Sequence, residues 1–233
     1  RGRATVRSIL RQIFDTGGAS VEIYVSPISI KDGGFGMSWK TFFCNTALSV
    51  AAFFASTASA ITLSGNINSH DPAGLIKEGG TYYHFTTGNG IWYSYSTNLT
   101  HWTPGPTTVF RNGQWPAWIN NAVPGFAGHF WAPDVIYMNG YYYLYYSAST
   151  FGSSRSAIGV TRTTSLVSPN WQDQGAVVQS NGSRNAINAI DPALFTDTNG
   201  NVYMSYGSWF GRIGVVQINP ATAKIANGAT PAK

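Results

Sequence analysis

The sequence predicts an all-β fold, and three observations carry that prediction. Twenty-six glycines and 11 prolines are scattered through short apolar runs, which suits strands joined by tight turns and argues against a helical bundle. The 233 residues are 43% apolar, 15% aromatic and only 10% charged, so the bulk of the chain can bury enough surface to offset its conformational entropy and is not disordered. An aromatic hairpin pattern also occurs three times in order, which marks a repeat architecture.

The first copy runs from His70-Asp71-Pro72 into Gly74-Leu75-Ile76, a Gly79-Gly80 turn and Thr81-Tyr82-Tyr83-His84-Phe85. The second runs from Ala132-Pro133-Asp134 into Val135-Ile136-Tyr137, an Asn139-Gly140 turn and the aromatic stretch Tyr141 to Tyr146. The third runs from Ile190-Asp191-Pro192 into Ala193-Leu194-Phe195, an Asn199-Gly200 turn and Val202 to Tyr206. Each copy reads as a short strand, a two-residue turn and an aromatic strand, because Asn-Gly and Gly-Gly supply the positive φ angles such a turn needs. A further strand-like run follows in each: Ile91 to Tyr95, Ala157 to Thr161, and Ile213 to Ile218.

Asp71, Asp134 and Asp191 are 63 and 57 residues apart, a period that holds four strands and long loops, as in a propeller blade. In a propeller the innermost strand of every blade lines a central channel, so a residue recurring at its start is presented at one mouth. Three carboxylates are therefore expected to converge, the alternative being that each Asp only caps a turn. Asp134 suits holding its blade together as well as touching a substrate. The rings of Tyr141 to Tyr146 are expected to be structural, alternate ones facing the two neighbouring blades.

Residues 37 to 60 read as a secretory signal peptide: Met37, a cation at Lys40, an apolar stretch through Phe54, and Ala58 and Ala60 at the −3 and −1 spacing of a cleavage site. Residues 1 to 36 precede this start and are expected to be a miscalled or non-native lead. The domain is then residues 61 to 233, with eight bases and six acids. A near-neutral body without clustered cations excludes nucleic acid as a partner, and removal of the signal leaves no membrane segment. Cys44 leaves with the signal, so disulfides and thiolate metal sites are excluded. The histidines at 70, 84, 101 and 129 show no paired ligand spacing, so no metal or other cofactor is expected.

The chain resembles glycoside hydrolase family 43, most closely its endo-1,5-α-L-arabinanases. The resemblance rests on Ser69-His70-Asp71-Pro72, Gly128-His129-Phe130-Trp131-Ala132-Pro133-Asp134-Val135, Tyr145 through Gly152, Ser156 through Val160, Asn188-Ala189-Ile190-Asp191-Pro192 and Met204 through Phe210. It implies a five-bladed β-propeller, of which this chain holds about three blades, and an inverting mechanism. Asp71 takes the role of the general base that activates water, and Asp191 that of the carboxylate that tunes the general acid and orients the sugar. Inversion needs an ionised carboxylate on the water side and a protonated carboxyl on the leaving-group side.

The resemblance further implies that Trp131 and Phe151, the latter followed by Gly152, stack on arabinose rings. Asn188, Ala189, Ile190, Ser208, Trp209 and Phe210 are expected to line the cleft. The implied partner is plant cell-wall arabinan or its oligosaccharides, and the implied protein is a secreted monomer. Exo-acting arabinofuranosidase, β-xylosidase and a sugar-binding arc without catalysis are the alternatives; the Ser-Ala-Ser-Thr-Phe-Gly and Gly-Ser-Trp-Phe sets favour the arabinanase.

The family's general acid is a glutamate in a Glu-Gly-Pro or Glu-Ala-Pro setting. After residue 60 this chain has one glutamate, Glu78, in the first hairpin turn, where it cannot serve. The chain is therefore expected to be an N-terminal fragment that is inactive alone.

Overall fold

The computed structural model describes residues 60 to 233 apart from 112, 184, 209, 210 and 233. The expected lead and all of the expected signal except Ala60 lie outside the described residues.

Three sheets follow one another along the chain. The first contains β1 (Ser64–Gly65), β2 (Ile76–Glu78), β3 (Thr81–Thr86), β5 (Trp92–Ser96) and β6 (His101–Pro104), in the order β1-β6-β5-β3-β2. Only the β1–β6 pair in it is parallel. The second contains β7 (His129–Met138), β8 (Tyr141–Ala148), β9 (Ala157–Thr163) and β10 (Gln172–Gln179) as an antiparallel meander. The two-residue strand β4 (Gly88–Asn89) leaves the first sheet and pairs with the start of β7, Gly88 opposite Phe130. The third is a meander of β11 (Ala193–Thr196), β12 (Val202–Ser208), β13 (Arg212–Asn219) and β14 (Lys224–Ile225). Among the described residues one short helix interrupts the strands, α1 (Trp118–Ala122).

The four-strand unit read from the sequence is thus present in each copy, and the turns explain where strands reverse. Asn139 (φ 50) and Gly140 (φ 79) adopt the double positive φ of a tight hairpin. The third hairpin departs from expectation: β11 ends at Thr196 and β12 begins at Val202, so five residues intervene. Asp197 holds this longer loop, accepting the N–H of Asn199 at 2.9 Å and of Asn201 at 2.8 Å, an aspartate turn that outcompetes the two-residue one.

Two apolar clusters lie on the two faces of the second sheet. Tyr142, Leu144 and Tyr146 of β8 pack with Tyr83, Phe85 and Tyr93 of the first sheet and with Ile91 just before β5. Tyr143 and Tyr145 pack with Met204, Tyr206, Val216 and Ile218 of the third. The aromatic run divides its rings between both neighbours because successive side chains of a strand point to opposite faces. Tyr145 and Tyr146 are fully buried, and burying a ring of this size stabilises by about 2–3 kcal/mol. Gly159 makes room for one of them: a Cβ there would lie 2.5 Å from the Tyr146 ring. Burial raises the Tyr145 phenol far above its ordinary range, so it stays a donor, to the Ala223 carbonyl at 2.9 Å.

Candidate active site

Asp71, Ala132 and Asp191 each precede a proline and each adopt a left-handed backbone, with φ of 46°, 37° and 56°. A following proline disfavours the right-handed helical region, and a left-handed residue with a side chain costs about 1–2 kcal/mol. The preceding carbonyls are held in return: Thr87 N–H donates to His70 O at 3.0 Å and Gly207 N–H to Ile190 O at 2.9 Å. The structural repeat is therefore the pre-proline residue, and the second sheet carries alanine there.

This corrects the expected convergence of three carboxylates. The register of β7 against β8 breaks between Trp131 and Asp134, a bulge that moves Asp134 past the repeating position. Its carboxylate turns to backbone amides instead: Val135 N–H donates to Oδ1 at 2.9 Å and Leu194 N–H to Oδ2 at 2.6 Å, with the Gly74 amide as a further partner. Burial raises its pKa, and the three amides pull it back down. Among the described residues no group of three His, Cys, Asp or Glu is placed to hold a metal ion.

Asp71 and Asp191 remain the pair that act on each other. Loss of hydration raises the Asp191 pKa first, and the charge of Asp71 raises it further, although Asp191 is still open to solvent. Asp71 is held from its own sheet and tied to the next: Thr87 Oγ1 donates to its Oδ2 at 2.8 Å while accepting the Ala132 N–H at 2.8 Å. Nε2 of the exposed His70 lies 3.6 Å from the other carboxylate oxygen. Thr87 sits where the chain leaves β3 for β4, which explains its reach into the second sheet. One sheet further on, Ser147 does the same: its Oγ accepts the Asp191 N–H at 2.9 Å. Neither hydroxyl stands out in the sequence as a site residue. Their one signal is that a Thr or Ser ends the aromatic strand in the first two copies.

The other expected site residues are placed differently from one another. Trp131 is half-buried on β7, its indole N–H donating to His129 Nδ1 at 3.0 Å. Phe151, 100% exposed, and Gly152 (φ 79) form the tip of the loop between β8 and β9. Asn188, Ala189 and Ile190 are buried. The Asn188 amide accepts from Ser180 Oγ and donates to Ser208 Oγ, each at 3.3 Å, so it supports the site from below. Ser180 Oγ also accepts the Ala189 N–H, and its single proton is shared between Asn188 Oδ1 and the nearer Ser154 carbonyl at 2.8 Å, tying this segment to the Phe151 loop. Ser208 is half-buried at the end of β12; Trp209 and Phe210 lie outside the described residues. Beside His70 a depression of about 560 Å³ is lined by Asn66, Asn68, Ser69, Thr87 and the half-exposed Trp92, with no Asp, Glu, Lys or Arg.

Residues 66 to 231 match the sequence profile of Glycosyl hydrolases family 43. The chain belongs to this family. It is 38% identical over 196 residues to extracellular endo-α-(1→5)-L-arabinanase 1 of Bacillus subtilis, covering 80% of this chain and 59% of that protein. It is 41% identical over 157 residues to the extracellular exo-α-(1→5)-L-arabinofuranosidase ArbA of Cellvibrio japonicus, covering 66% and 44%. Its structure is similar to native Bacillus subtilis arabinanase Arb43A with a TM-score of 0.64 at 38% identity, covering 71% of this chain and 56% of that one. The Cellvibrio cellulosa α-L-arabinanase complexed with arabinohexaose matches with a TM-score of 0.65 at 36% identity, covering 72% and 54%. The chain spans about half the length of the curated relatives it matches.

For this family member Glu78 matters by its position. Its carboxylate accepts the N–H groups of Leu166 and of Val167, the latter at 3.0 Å, and so joins the first hairpin turn to the loop after β9. It is engaged in tying two sheets together, away from the Asp71 and Asp191 pair.

Proposed function

We propose that this chain is part of a secreted arabinanase, its three sheets being blades of the family's five-bladed propeller. The protein cleaves internal α-1,5-arabinofuranosyl linkages of arabinan with inversion. The observation that carries the reading is the pair Asp71 and Asp191, presented by the same strained turn in two sheets and coupled by charge. In the reaction Asp71 accepts a proton from water as its oxygen bonds to the anomeric carbon. A general-acid carboxyl gives its proton to the departing glycosidic oxygen, and Asp191 keeps that carboxyl protonated by like-charge repulsion. The depression beside His70, free of Asp, Glu, Lys and Arg, suits a neutral sugar chain. Relatives named as an extracellular endo-arabinanase and an extracellular exo-arabinofuranosidase support secretion and an arabinan-type substrate.

Because Glu78 is the one glutamate after residue 60 and is engaged elsewhere, the chain alone binds arabinan without cleaving it. The test is calorimetric titration of the purified chain with arabinohexaose beside a reducing-sugar assay on linear arabinan. Binding is expected to weaken at least tenfold in Phe151→Ala with no change in melting temperature, since this ring is wholly exposed, and no turnover is expected. Turnover at the rate of an intact glycosidase overturns the inactivity, and absence of binding overturns the substrate.

A further inference from the structure

The second-sheet aspartate stands between the segments that carry the other two. Gly74 and Leu194 lie three residues after Asp71 and Asp191 respectively, and both stand against the carboxylate of Asp134. Leu194 donates to Oδ2 at 2.6 Å, while the Cα side of Gly74 faces Oδ1, where an added Cβ would lie 3.7 Å away. An ionised carboxylate only accepts and offers about four lone-pair sites, so one side chain can hold both neighbouring inner strands together. Hydrogen bonds to a charged acceptor are roughly twice as strong as neutral ones. An asparagine there would keep one acceptor oxygen and set an N–H₂ against an amide. Between this point and each catalytic aspartate the chain passes through a proline, Pro72 or Pro192, whose ring fixes φ, so little freedom remains.

We propose that Asp134 is a positioning residue whose carboxylate staples the inner strands of the first and third sheets and thereby sets the separation of Asp71 and Asp191. The proposal deepens the reading of those two residues as the working pair and rests on it. Charge coupling falls off with distance, so a staple on the inner strands governs how strongly Asp71 and Asp191 act on each other.

The experiment measures the coupling of the pair without any sugar. The carboxyl carbon of Asp191 is titrated by NMR in the wild type, Asp71→Asn, Asp134→Asn and the double variant. Removing the Asp71 charge is expected to lower the Asp191 midpoint in the wild-type background. In the Asp134→Asn background the same removal should shift it by less than half as much. An undiminished shift overturns the proposal, and reduced stability with undiminished coupling overturns it equally, since Asp134 is then structural only. A second measurement needs no variant: the Gly74 and Leu194 amide signals of the wild type should move together at the Asp134 midpoint. Two unrelated midpoints overturn the staple. Failure of arabinohexaose to bind overturns the functional reading alone, because no sugar enters these titrations.

Discussion

The second sheet differs from its two neighbours in where it puts its aspartate. The first and third sheets carry Asp71 and Asp191 on the left-handed residue before proline, both exposed to solvent. The second carries Ala132 on that residue and places Asp134 beyond a bulge, where its carboxylate accepts the amides of Val135 and of Leu194 in the third sheet and lies close to Gly74. One residue type in nearly the same text therefore serves two ends. Where the carboxylate is left with few partners it is available for chemistry; where amides take its lone pairs it holds strands. The two neighbours differ from each other as well, since Asp71 is held through its side chain by Thr87 and Asp191 through its N–H by Ser147.

The largest expected break in this comparison comes from truncating the structural member. Asp134→Ala strands the amides of Val135 and Leu194 and should cost about 2–4 kcal/mol in denaturant unfolding. Asp191→Ala, whose side chain leaves no such amide behind, should cost under about 1 kcal/mol. Equal costs would erase the distinction between the two aspartates. A smaller effect belongs to the hydroxyl that joins the first two sheets: Thr87→Val should destabilise by about 1–2 kcal/mol, because the Ala132 N–H loses its acceptor, and Thr87→Ser should recover most of it.

The smallest effect sharpens the shared feature. Ala132→Gly and Asp191→Gly both relieve a left-handed residue and should each raise stability by about 0.5 kcal/mol after the chain-entropy cost of glycine. Only Asp191→Gly should alter arabinohexaose binding. A loss of stability in both would show that these turns are unstrained.

Much of the fold was legible in the residues. The alternation of Tyr141 to Tyr146 follows from the two-residue period of a strand, and its division between two clusters is what the structure contains. The Asn139-Gly140 turn follows from the backbone freedom those two residues have. The third turn did not follow from Asn199-Gly200, because Asp197 offers the loop a competing set of acceptors. In the candidate site, Asp71 and Asp191 stand out because few acids exist to choose among. Asn188 was expected to line the cleft and is buried instead, its amide spent on Ser180 and Ser208.

By itself the sequence determined three strands of each copy, two of the three hairpin turns, the family and the short inventory of carboxylates, because these depend on residue type and local spacing. Only the tertiary structure decided which carboxylates are left open. Thr87 reaches Ala132 across 45 residues, Ser147 reaches Asp191 across 44, and Asp134 reaches Leu194 across 60. A carboxylate's chemistry is set by the donors and charges around it, and here those come from residues distant in the chain, Thr87 for Asp71, the Asp71 charge for Asp191 and Leu194 for Asp134, which no local pattern encodes.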